Sequence, residues 1–158
     1  MSNATIFEEL GFGTHEGRLP EAVVYSVART ASLLASELST VYQRFGLTPP
    51  SFNLLMLLKH GKDPSTFSQQ ALGRRLAVTA SNMTGLIDRL EKRGFVRRTS
   101  GNDRRSKLLR ITPQGATLLR QVWPSHVEAV ERLTKGLDER AARTLLSVAT
   151  HLRRNVTR

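Results

Sequence analysis

No cysteine occurs among the 158 residues, which excludes a disulfide framework, a thiolate metal site and thiol redox chemistry. Aromatic residues are scarce as well, with one Trp, two Tyr and six Phe. Most of them fall at periodic apolar positions, so the stacking platform that single-stranded recognition uses is missing. Long apolar runs are absent too. The longest stretch free of Asp, Glu, Lys and Arg is Phe45 to Leu58, 14 residues interrupted by Pro49-Pro50, against roughly 20 for a membrane-spanning helix. The first 20 residues carry Glu8, Glu9 and Glu16 and lack the apolar core of a signal peptide. The expectation is a soluble protein of a reducing cytoplasm, without membrane contact.

Acidic residues are the remaining shortage: 13 Asp+Glu face 24 Lys+Arg, a net charge of +11. Such an excess attracts polyanions. Apolar residues at 39% and charged residues at 23% supply an ordinary core and exclude a disordered tail protein.

Helical periodicity dominates what is present. Val27, Ala31, Leu34, Leu38, Val41 and Phe45 follow one another at steps of four and three, one continuous stripe of a long helix. Thr48-Pro49-Pro50 opens a second, nearly all-apolar helix that Gly61 closes. A short helix from about Ser68 to Leu76 and a tight connection at Ala77-Val78 follow. Thr79 then caps a helix ending at Gly94. Two short extended runs, Phe95 to Thr99 and Lys107 to Ile111, flank the polar turn Ser100-Gly101-Asn102-Asp103 and read as a hairpin. Thr112-Pro113 starts a helix that runs to about Lys135, with a kink or local break expected at Pro124. In a last helix Ala141, Leu145, Val148 and Leu152 share a face.

The positive charge is concentrated. Between Arg74 and Arg110 stand eleven basic residues against Asp88, Glu91 and Asp103, so this quarter of the chain carries +8 of the +11. A short helix, tight turn, second helix and hairpin over the same residues make a winged helix-turn-helix, a duplex-DNA reader. On its second helix Met83, Leu86, Ile87 and Leu90 form the apolar face. Ser81, Gly85, Asp88 and Lys92 lie opposite, flanked by Asn82, Thr84 and Arg89. Asn, Ser and Thr can hydrogen-bond base edges. Asp88 repels phosphate, and pairing with a neighbouring arginine is its expected role.

Leu76 to Gly115 resembles the winged helix-turn-helix of the MarR family of bacterial transcription regulators. The resemblance rests on Val78-Thr79, on Asn82 through Gly94, and on the wing signature Asp103, Arg105, Ile111, Thr112 and Gly115. Ser100-Gly101-Asn102 departs from the pattern, because a proline commonly precedes the aspartate there. The resemblance implies a mainly α (α+β) fold, a winged helix-turn-helix whose N- and C-terminal helices form a dimerisation domain. It implies residues 1–20 as an N-terminal arm open to disorder, 21–46 and 113–158 as the dimerisation region and 47–112 as the DNA-binding region. The function implied is a homodimeric repressor on a pseudopalindromic operator. Arg74, Arg75, Thr79, Ser81, Asn82, Thr84, Arg89, Arg104, Arg105 and Lys107 are the candidate DNA contacts. Arg105 is expected in the minor groove, braced by Asp103.

Family members are often released from DNA by a small aromatic or anionic effector. By approximate location Tyr25, Tyr42, Phe52 and Trp123 could wall such a site, but plain core packing is the expected role of each. No cofactor, metal or catalytic set is expected. His15, His60, His126 and His151 are isolated, and no phosphate-binding glycine loop occurs. A basic RNA-binding module and an enzyme assembled from distant residues are the competing readings.

Overall fold

The computed structural model describes residues 4–12, 18–100 and 107–156. Among these residues it contains seven α-helices, α1 (Ala4–Glu9), α2 (Leu19–Gln43), α3 (Pro49–His60), α4 (Gln69–Leu76), α5 (Ala80–Lys92), α6 (Pro113–Leu133) and α7 (Glu139–Val156), and a short 3-10 turn at Pro64–Thr66. One antiparallel hairpin, β1 (Val96–Ser100) with β2 (Lys107–Ile111), pairs Val96 with Ile111 and Ser100 with Lys107.

Side-chain caps fix where the helices start. Thr48, Ser68, Thr79 and Thr112 stand at N-caps, and each accepts a hydrogen bond from a backbone N–H of the first turn. Each such cap contributes about 1 kcal/mol. Thr112 does more, since its hydroxyl also donates to the Gly94 carbonyl at 2.6 Å. Three residues on, a Cβ at Gly115 would collide with the Phe95 carbonyl oxygen. The Thr112 and Gly115 pair therefore welds the end of the hairpin to the start of α6.

The main core lies where α2, α3, α5 and α6 meet the hairpin. Leu54, Leu55, Leu72, Met83, Ile87 and Val122 are fully buried there, each side chain worth about 1.5–3 kcal/mol. The all-round apolar texture of α3 is explained by its position beneath α2, α4 and α6.

Two features differ from the sequence expectation. The N-terminal arm carries α1, because Ile6 and Phe7 bury against Ala22 of α2, with Leu10 packed alongside. Pro124 does not break α6, which stays one element from Pro113 to Leu133. Buried Leu119 and Val122 before it and Ala129 after it hold both halves on the core. As expected for core aromatics, Tyr42 and Phe52 are core residues stacked at 4.3 Å, and Tyr25 packs edge-on against Phe7 and Phe12.

Two apolar stripes remain uncovered. Val23, Val24, Val27 and Leu34 on α2 are exposed. α7 buries no residue at all, although Leu145, Leu146 and Val148 project from it. Among the described residues no helix is long and apolar enough to cross a membrane.

Candidate nucleic-acid interface

α4 and α5 are set at a fixed angle by the turn between them. Leu76 is followed by Ala77 in the left-handed conformation (φ 52°), which lets the Val78 N–H bond back to the Gly73 carbonyl at 3.0 Å. The two helices also approach closely at Gly73, where a Cβ would sit 3.2 Å from the Val78 oxygen. Thr79 then starts α5, and its hydroxyl accepts from the Asn82 N–H. Met83, Leu86, Ile87 and Leu90 are buried, as their spacing predicts, and the opposite face is left in solvent.

The candidates among the described residues all reach solvent. Ser81, Asn82, Thr84 and Arg89 are exposed on α5, Arg74 and Arg75 on α4, and Lys107 at the start of β2. Arg104, Arg105 and the expected brace Asp103 lie outside the described residues.

The cations divide into tethered and free. Asp88 accepts from Arg98 Nη2 at 2.6 Å, and Glu91 binds both the Arg98 guanidinium and, at 3.0 Å, its backbone N–H. These bonds hold the Arg98 guanidinium in its charged form. Asp88 is thus the arginine partner the sequence suggested, and together with Glu91 it clamps the recognition helix to the wing. Arg93 folds back onto the carbonyls of Phe45 and Gly46 and lies over Phe95, capping the end of α2 rather than facing outward. Arg75 donates to Thr66 at 2.8 Å and lies over the Phe67 ring. Among the described residues, the side chains of Arg74, Arg89, Lys92, Arg97 and Lys107 have no hydrogen-bond or ion-pair partner.

Two features here escape sequence reading. Arg97 stands directly opposite Arg110 across the hairpin, an arrangement of like charges that is destabilising unless an anion joins it. Gln69, at the first position of α4, donates from Nε2 to Thr84 Oγ1 at 2.6 Å. The register gives the first once strand ends are known. No local signal gives the second, because 15 residues separate the partners.

A cavity of about 600 Å³ lies between α3 and α6, lined by Met56, Lys59, His60, Leu119, Arg120 and Trp123. Of Tyr25, Tyr42, Phe52 and Trp123, Trp123 reaches it. Behind Trp123, His126 Nδ1 and the Tyr42 hydroxyl share a hydrogen bond of 2.9 Å. Burial lowers the His126 pKa below its ordinary value and raises that of Tyr42.

The family model described as MarR family matches residues 45–106, the span from the end of α2 through the wing. The HTH-type transcriptional regulator PecS of Dickeya dadantii is 30% identical over 110 residues, covering 69% of this chain and 66% of PecS. The chain spans slightly under two thirds of the length of the curated relatives it matches. Sco3205, a MarR family transcriptional regulator from Streptomyces coelicolor solved in complex with DNA, superimposes with a TM-score of 0.79. It is 25% identical, over 90% of this chain and 92% of Sco3205. The transcriptional repressor CouR, bound to a 23-mer DNA duplex, gives a TM-score of 0.75 at 27% identity over 87% of this chain and 96% of CouR. The order of helices, the winged helix-turn-helix built from α4, α5 and the hairpin, and these matches agree: the chain has the fold of MarR family regulators and is similar to them in sequence.

Proposed function

We propose that the protein is a transcriptional repressor that binds double-stranded DNA as a homodimer. Exposed Ser81, Asn82 and Thr84 on α5, set among cations whose side chains have no partner among the described residues, carry this reading. A polar helix face flanked by uncompensated arginines offers a major groove both base contacts and phosphate contacts. α5 enters the groove, Arg74 and Arg89 neutralise flanking phosphates, and Thr79 and Lys107 lie near the backbone. Arg105 reaches the minor groove, where narrow width strengthens the negative potential, with Asp103 as its brace.

In this reading residues 47–112 bind DNA, while 21–46 and 113–158 dimerise. The uncovered stripes of α2 and α7 support the second assignment, since large contiguous apolar surface in water marks an interface. The cavity beside Trp123, with Lys59, His60 and Arg120 around it, suits a small aromatic or anionic effector that releases the DNA.

Competition decides between duplex DNA and the basic RNA-binding alternative. A labelled genomic duplex bound by the protein should resist displacement by single-stranded RNA of equal charge and yield to unlabelled duplex. Equal displacement by both would refute the reading.

A further inference from the structure

The Thr84 hydroxyl is committed twice within the protein. Its one proton goes to the Ala80 carbonyl at 3.0 Å, the ordinary back-bond of a helical threonine. One of its two lone pairs accepts from Gln69 Nε2 at 2.6 Å. A hydroxyl has one proton and two lone pairs, so Thr84 has no donor left for a base and only one lone pair.

The same count fixes the orientation of Gln69. Because the Thr84 proton points at Ala80, the Gln69 atom beside it must be the donor nitrogen. The amide oxygen and the second N–H of Gln69 are thereby left without a partner among the described residues, beside α5. An acceptor and a donor held side by side in one plane match the N6–H and N7 edge of adenine. A free glutamine loses rotamer freedom when it is immobilised. Here the bond to Thr84 has already restricted the side chain, so less is lost on binding. Gly85, next to Thr84, presents no side chain, and a Cβ there would meet nothing nearer than the flexible tip of Arg89 at 3.4 Å. Space for a base edge is therefore open beside the pair.

We infer that Gln69, positioned by Thr84, is a specificity-determining residue that reads one adenine in each half-site, although it lies on the first helix of the motif. The inference rests on the DNA-binding reading above. Ser81 and Asn82 then supply the remaining contacts near the start of α5, and Thr84 acts through Gln69.

The test is the base preference of the purified protein at every position of a selected operator, compared for wild type, Gln69→Ala and Thr84→Val. The expected result for Gln69→Ala is a loss of about tenfold discrimination at one A·T pair per half-site. Preferences elsewhere and the melting temperature should stay unchanged. Thr84→Val should weaken the same position by a smaller factor, because Gln69 is still present but no longer held. Loss of affinity spread evenly over all positions would make Gln69 a backbone contact and overturn the inference. An unaltered profile would overturn it too. Failure of the wild type to prefer any duplex over single-stranded RNA would instead overturn the DNA-binding reading on which it stands.

Discussion

Ala77 holds a left-handed backbone conformation (φ 52°) at the sharpest bend of the helix-turn-helix. A residue with a Cβ pays about 1 kcal/mol or more for that conformation, which glycine adopts freely. Ala77 is exposed, so removing its methyl group costs little packing. Ala77→Gly should therefore raise unfolding stability by about 0.5–1 kcal/mol in a denaturant titration, and a decrease would show that the turn is not strained. Residue chemistry of this kind was only partly legible in the chain. Asp88 among arginines announced an ion pair, but Arg98 was one of several candidate partners, and only the strand that follows α5 selects it. Gln69 and Thr84 gave no hint of one another, because the turn that joins them bends on a single non-glycine residue.

Elements were read well wherever cap and period agreed. Thr48, Ser68, Thr79 and Thr112 each mark the start that the structure has. The misses are short or overruled elements. α1 is six residues long, too short for a periodic signal, and exists because Phe7 and Ile6 find α2. Pro124 signals a break that tertiary packing overrides. The junction of α2, α3 and α6 carries a further expectation. His126 sits among the rings of Tyr42, Phe52 and Trp123, and burial lowers its pKa in the folded state. Unfolding therefore takes up a proton when the pH is below the unfolded value of about 6.5. The neutral ring's contribution is complete above that pH and is lost as the pH falls toward the lowered folded value. The melting temperature should accordingly drop between pH 7 and 5.5, and this drop should shrink in His126→Gln. An identical pH profile in the variant would place the titration elsewhere.

At the scale of the whole molecule, the sequence shows apolar stripes from Val27 to Phe45 and from Ala141 to Leu152, and the structure shows where they stay open. Leu145 is 57% exposed and Leu146 64% exposed on a helix that buries nothing. If a second copy covers that face, Leu145→Asp places an unpaired charge in an apolar contact. Sedimentation should then shift from about twice the 17.6 kDa chain mass toward the monomer. A wild-type protein that sediments as a monomer at micromolar concentration would contradict the assembly. Charge is the other global quantity, and the +8 held between Arg74 and Arg110 was visible as composition alone. Which cations are free was not visible, because it depends on Arg75, Arg93 and Arg98 folding back onto Thr66, the end of α2, and the acids of α5.

Footprinting on duplexes selected from genomic DNA tests the central claim most directly. A two-fold dimer carrying one α5 per subunit should protect a pseudopalindrome whose half-site centres lie one helical turn, about 10 bp, apart. Protection of a single asymmetric site, of direct repeats, or of no duplex at all would contradict it.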